Sequence, residues 1–302
     1  MPNPDRRRLL AAAGALLIAP LAAHAAPPPL RVVALEYNLV EMLLALGLTP
    51  VGVADLKGYR RWVGLGQQTL SGCVSVGTRQ QPSLEAIAAL RPDLILGVDF
   101  RHQPLLPLLP LLSRLAPTRL QASDRTGNGL ALMRQDFRQL AVWTGRSQAA
   151  ESELARLDDC LSRLRGQLGP SAKQRMGVLQ GLGGSPQFWA FAGNSLAGGV
   201  VDALGWQNAW PARDARQGIV TLTVEDLLDS TASLTAVTDP RADFTRGALW
   251  QRVPAVAEAR LRRLPADTWL FGGPWSARRL AERLATAWAP AAHAICSGAV
   301  SP

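Results

Sequence analysis

The sequence predicts an α/β fold: two α/β lobes joined by a long helical segment. Strand–helix–strand alternation with short connections occurs in both halves of the chain. Between the halves, from Asn128 to Leu168, no proline occurs and apolar residues recur at three-to-four spacing. The 302 residues are 48% hydrophobic and 18% charged. That is a globular balance with enough chain for two lobes of ordinary size. It excludes a disordered chain, a coiled coil and a disulfide-dense mini-protein.

In chain order, Leu30–Leu35 reads as a buried strand. Asn38–Gly47 reads as a helix, with Asn38 as cap, Glu41 completing a capping box and Gly47 as stop. Pro50–Ala54 is a second strand, Pro82–Leu90 a helix and Asp93–Gly97 a third strand. The prolines at 107 and 110 admit only a short helix there. Leu130, Met133, Phe137, Leu140, Leu154, Leu157, Leu161 and Leu164 form the apolar stripe of the linking segment, which Gly145 and Ser147 divide into one long helix or two in tandem. Arg175–Gln180 and Leu234–Val237 are strands of the second lobe. Asn194 and Ser195 cap a helix to Gly205; Val224–Leu228 and Leu280–Trp288 are further helices. The expected division is a signal at 1–25, a first lobe at 26–127, the linking helix at 128–168, a second lobe at 169–290 and a flexible tail at 291–302.

Arg6–Arg8 precede the apolar run Leu9–Ala22, and Ala23-His24-Ala25 fits a small-x-small cleavage site. This is the pattern of a secretory signal, its paired arginines suggesting twin-arginine export to the periplasm. The net charge of +9 is scattered and lacks a basic patch interleaved with aromatics. Nucleic acid is therefore not the expected partner. His102 and His293 are the histidines beyond the signal, and no metal-ligand spacing occurs, so no protein-built metal site is expected. The same scarcity leaves few places for a Ser-His-Asp triad, and an enzyme is not expected. Cys73, Cys160 and Cys296 are odd in number and read as buried or idle thiols. Asp158-Asp159 and Glu225-Asp226 read as solvated helix faces, and Gly181–Ser185 as a turn rather than a phosphate loop.

Several stretches together carry a resemblance: VVALEYNLVEMLLALGLTPVGVAD at 32–55, YRRWV at 59–63, VGTRQQPSLEAIAALRPDLIL at 76–96, NSL at 194–196, NAW at 208–210 and LPADTWLFG at 264–272. They resemble the periplasmic siderophore-binding proteins of ABC iron importers, Y-R-x-W-V pointing to the hydroxamate branch. The resemblance implies two lobes on a helical backbone, an iron(III)–siderophore complex as ligand, and no cofactor held by side chains. It also implies a monomer that delivers its ligand to an inner-membrane ABC permease with a cytoplasmic ATPase. A corrinoid or haem binder of the same fold is the alternative, and an exported α/β enzyme a more distant one.

The resemblance carries specific residues into the expected cleft. Arg79 matches an arginine that meets the oxygens around the metal; the other reading is an ion pair with Glu85 or Asp55. Trp62 matches a pocket tryptophan, and Tyr37 lines the floor. Trp269 and Phe271 match second-lobe aromatics, read as one face of a strand, with Trp275 close by. Two departures stand out. Asp99-Phe100-Arg101-His102 replaces a tyrosine, leaving Phe100 and Arg101 as candidates. Gln217 stands nearest to a second-lobe tryptophan that this chain lacks. Fewer rings and more donors suit a more polar, carboxylate-type siderophore. The lobe-tip glutamates used in permease docking fall near Pro110 and at Gly199, neither acidic, which leaves Asp202 as the expected docking acid.

Overall fold

The computed structural model describes residues 30–99, 105–123, 125–169, 174–182, 185, 187–210, 218–238, 247–289 and 296. The expected signal, Phe100, Arg101, Gln217 and the tail other than Cys296 lie outside the described residues.

The first lobe runs β1 (Val32–Ala34), α1 (Tyr37–Ala45), β2 (Gly52–Val53), α2 (Leu56–Trp62), β3 (Val74–Ser75), α3 (Leu84–Ala89), β4 (Leu94–Asp99), α4 (Leu109–Leu115) and β5 (Thr118–Ala122). Its strands are all parallel, in the order β3-β2-β1-β4-β5. The sheet reverses winding direction between β1 and β4, so a crevice opens beyond the carboxyl ends of those strands. β4 is buried from Leu94 through Val98, as expected of a parallel strand covered on both faces.

The linking segment is two helices, α5 (Gly129–Thr144) and α6 (Ser147–Leu168). Asn128 caps α5, its side-chain oxygen accepting from the N–H groups of Leu130 and Ala131 at 3.1 Å. Gly145 ends α5 at φ 68°, in the left-handed conformation that suits glycine. The helices then fold back on each other, because Arg138 pairs with Glu151 and Arg134 with Asp158. In one continuous helix the latter pair would lie about 36 Å apart. The expected linking helix is therefore an antiparallel pair, of which the 22-residue α6 is the longer member.

The second lobe comprises β6 (Arg175–Gly181), β7 (Phe188–Phe191), α7 (Leu196–Ala203), β8 (Gln207–Asn208), β9 (Ile219–Leu222), β10 (Ser233–Val237), α8 (Pro254–Ala257), β11 (Leu261–Leu264) and α9 (Pro274–Trp288). The sheet order is β11-β10-β6-β7-β9, with β8 beside the start of β6. β7 runs antiparallel to both of its neighbours, β6 and β9, and the other pairings are parallel. The helix expected at Val224–Leu228 is one 3-10 turn. α9 begins at Pro274 rather than Leu280, a proline suiting a first helical position.

One apolar core spans both lobes, joining Leu39 and Leu43 of α1, Phe137 of α5, Leu157 and Leu161 of α6, Val200 of α7 and Leu280 and Leu284 of α9. Smaller clusters pack against each sheet. The capping box expected at α1 does not form. Glu36 is the cap, and Glu41 is fully buried and points at the amino end of α9. There it accepts from the Ser276 N–H at 2.8 Å and the Ser276 hydroxyl at 2.5 Å. An acid at a helix amino end is favourable, and this one ties α1 to α9 across 235 residues.

The cysteines also depart from expectation. Cys160 of α6 and Cys296 form a disulfide, so the tail is tethered at Cys296. Cys73 alone is a free thiol, pushed up to about 11 by burial. A carboxylate oxygen of Glu282 lies within 4.8 Å of both disulfide sulfurs, but those sulfurs are bonded to each other. Among the described residues, no helix is long and apolar enough to cross a membrane.

Candidate functional site

The carboxyl edges of the two sheets face each other across a cavity of about 680 Å³. The first lobe contributes the residues after β1, the β3–α3 loop and the ends of β4 and β5, and the linking segment adds one face of α5. The second contributes the end of β6, Trp189 of β7, the loop into α7 and the β11–α9 connection.

Arg79 stands in the β3–α3 loop, and its guanidinium donates to Glu36 at 2.6 Å. The same group lies 4.3 Å over the ring of Tyr37, a cation–π placement. Its ion-pair partner is thus Glu36, not Glu85 or Asp55. Glu36 is 6% exposed and also accepts from the Tyr37 N–H at 3.0 Å. Asp55 instead accepts from the Tyr37 hydroxyl. Burial first, then that hydrogen bond, pushes the Tyr37 phenol above its ordinary range. Gly58 makes this contact feasible: a Cβ there would fall 1.9 Å from the Tyr37 oxygen.

An aromatic row crosses from one lobe to the other. Tyr37 meets Trp269 edge-on at 5.7 Å, Trp269 meets Phe271 at 5.2 Å, and Phe271 meets Trp189 edge-on at 5.9 Å. Trp269 and Phe271 do not lie on a strand. β11 ends at Leu264, and the two rings converge in the irregular connection to α9. Trp62 is more than a third exposed at the cavity mouth, with the Arg61 guanidinium 4.8 Å over its ring. Trp275 packs against the core and is not among the residues that line the cavity.

Arg79, Trp62, Trp269, Phe271 and Tyr37 therefore line one cavity. Among the further residues that join them and that sequence reasoning missed are Glu36, Gln121, Arg125, Asp136 and Trp189. For Trp189 a signal existed, the alternation Phe188-Trp189-Ala190-Phe191 after a Gly/Pro-rich turn. Arg125 and Asp136 carry no local signal. They pair only because the turn into α5 brings the loop after β5 against that helix.

The buried polar atoms are unevenly distributed. The side-chain oxygens of Asn38, Gln121 and Gln180 and the indole N–H of Trp269 are buried, lack a partner among the described residues, and all belong to cavity-lining residues. Orphaned polar groups in an otherwise satisfied core are costly. Their convergence on one cavity leaves hydrogen-bonding capacity there for water or a polar ligand.

Gly199 and Asp202 both lie on α7. Gly199 is buried at the α5–α7 contact, where a Cβ would lie 2.3 Å from the Leu130 backbone nitrogen, so it is no lobe tip. Asp202 is half-buried and accepts from the Asn128 side chain at 3.2 Å and from the Asn208 backbone. That carboxylate braces α7 against the start of α5.

The sequence pattern of a family described as periplasmic binding protein matches residues 32–268. The iron(3+)-hydroxamate-binding protein FhuD of Escherichia coli K12 is 30% identical over 290 residues, covering 92% of this chain and 94% of its own. The Fe(3+) dicitrate-binding periplasmic protein FecB of the same organism is 27% identical over 259 residues, covering 84% and 83%. Among solved structures, the siderophore-binding protein FhuD from Vibrio cholerae with Fe3+-Desferal bound superposes with a TM-score of 0.77. It is 27% identical and covers 90% of this chain and 99% of that one.

Proposed function

The chain belongs to the periplasmic binding protein family, and from that premise we propose that it captures an iron(III)–siderophore complex of hydroxamate or carboxylate type between its lobes. It then delivers the complex to an inner-membrane ABC permease with a cytoplasmic ATPase. The observation that carries this reading is the interlobe cavity itself. It is about 680 Å³, a size that encloses a drug-sized ligand. It sets Arg79 over Tyr37 beside a row of rings, with unsatisfied amides around them. Rings pack the carbon skeleton of an amphipathic chelate, and a guanidinium donates to oxygens around the metal. The two relatives and the solved structure described above are all named for binding ferric complexes.

The metal is cargo, held by its chelator. Tyr37 and Tyr59 are the only tyrosines of the chain. Both are buried and hydrogen-bonded, and burial raises both phenols. Neither is poised to ionise and bind ferric ion. Residues 6–25 suggest export to the periplasm, and the protein acts there as a monomer.

The test is a tryptophan-fluorescence titration against hydroxamate, carboxylate and catecholate siderophores, each with and without iron, and against iron(III) nitrilotriacetate. Saturable quenching by at least one ferric siderophore, and none by iron(III) nitrilotriacetate, is the expected result. Failure of every ferric siderophore to bind, or stoichiometric uptake of bare iron, would overturn the proposal.

A further inference from the structure

The cavity holds two arginine–carboxylate pairs, and they are built differently. Glu36 is locked: it accepts from both Arg79 and the Tyr37 N–H. The second pair, Arg125 with Asp136, lies on the wall formed by the loop after β5 and by α5. Their side chains are 28% and 21% exposed. Arg125 uses one nitrogen, Nη2, toward Asp136 and the Leu132 carbonyl; its remaining donors have no partner among the described residues. Asp136 has Arg125 as its only side-chain partner there. Beside them Gln121 donates to the Asp136 backbone carbonyl at 3.1 Å, which leaves its own oxygen buried and unsatisfied.

We propose that Arg125 receives an anionic group of the ligand, with Asp136 as its exchangeable counter-ion, so that the preferred ferric chelate carries a peripheral carboxylate. This rests on the siderophore-binding reading above. When the ligand carboxylate takes the guanidinium, Asp136 loses its neutralising partner in a partly dry cavity, where an unpaired charge is expensive. It then takes one proton from solvent. One anion in and one proton in leave the charge of the cavity unchanged. Burial already lifts the Asp136 carboxyl to about 6, against the pull of Arg125, so the proton is within reach near neutral pH. Arg125 is the charged group that bears on Asp136. Other charges on the elements packed around α5 are engaged elsewhere. Asp158 and Glu151 of α6 pair with Arg134 and Arg138, which lie on the opposite face of α5. Asp202 of α7 holds Asn128, Arg278 of α9 faces Glu153, and Glu41 of α1 holds Ser276.

The experiment compares two ligands with one ferric trihydroxamate core: ferrioxamine B, which ends in an ammonium group, and its N-succinyl derivative, which ends in a carboxylate. Dissociation constants are measured from pH 5.5 to 7.5 for wild type, Asp136→Asn and Arg125→Gln. In wild type the preference for the carboxylate form over the ammonium form is expected to rise about tenfold as the pH falls through that range, the limit being tenfold per pH unit for one proton taken up. Asp136→Asn is expected to keep that preference and lose its pH dependence. Arg125→Gln is expected to lose the preference itself. If both ligands bind and wild type shows neither a charge preference nor its pH dependence, the role of Arg125 and Asp136 is overturned while siderophore binding stands. If neither ligand binds, and no other ferric siderophore of the panel does, the reading beneath it falls and takes this inference with it.

Discussion

Replacing Glu41 tests how the two lobes are tied together. Its carboxylate is fully buried and accepts from the N–H and hydroxyl of Ser276 and from the Gly273 backbone. Gly272 is required beside it, since a Cβ there would lie 2.1 Å from the carboxylate. Hydrogen bonds to a charged group contribute about 1.5–3 kcal/mol each, not additively. Glu41→Ala removes the acceptor, orphans buried donors at the start of α9 and opens a void between α1 and α9. A loss of about 3–5 kcal/mol is expected, the range for breaking a buried charged contact. Glu41→Gln keeps one accepting oxygen and avoids burying a charge, so its cost at pH 7.5 is expected to be about 1 kcal/mol. The pH response separates the variants further. Burial, opposed by the Ser276 and Gly273 bonds, raises the Glu41 carboxyl above its ordinary value near 4.5. The folded protein therefore holds this proton more tightly than the unfolded chain. Glu41 contributes least to stability above its raised folded value, and its contribution grows as the pH falls from there toward 4.5. Urea unfolding at pH 7.5 and pH 5 should show the gap between wild type and Glu41→Gln widening at the lower pH. Equal costs for the Ala and Gln variants, or an Ala cost under about 1 kcal/mol, would refute the argument.

Arg79→Ala should weaken ferric-siderophore binding by on the order of 1.5–3 kcal/mol, the worth of a charge-assisted contact; an unchanged dissociation constant in the folded variant removes Arg79 from the site. Cys160→Ser opens a covalent loop of 136 residues and should cost roughly 2–4 kcal/mol in denaturant unfolding. Siderophore affinity should not change, since neither cysteine lines the cavity, and an unmoved unfolding midpoint would show that the disulfide does not constrain the chain. Gly199→Ala forces a methyl against the Leu130 backbone at 2.3 Å and should lower stability by about 1–3 kcal/mol; a neutral outcome in thermal unfolding would mean the α5–α7 contact is looser than the geometry requires.

Local pattern determined much of this protein. Strands such as β4 and β10 are short apolar runs, buried throughout their apolar length, and their burial follows from composition alone. Asn128, Gly145 and Ser195 announce helix ends because caps act within one turn. Arg79 and Trp62 were legible as site candidates because their motifs are contiguous. The tertiary structure decided what depends on residues far apart in the chain. Glu41 has the spacing of a local capping residue, yet burial between α1 and α9 offers it better donors than its own helix does. Gly145 allows two helices in tandem or folded back; the Arg134–Asp158 and Arg138–Glu151 pairs form only in the second arrangement. Trp269 and Phe271 converge without the alternation of a strand, held by rings from both lobes. Cys160 found its partner 136 residues away, a pairing set by Cβ geometry that spacing cannot encode. The Arg125–Asp136 pair was invisible for the same reason: opposite charges attract wherever folding places them, and only the packing of α5 against the end of β5 placed these two on the wall of the cavity.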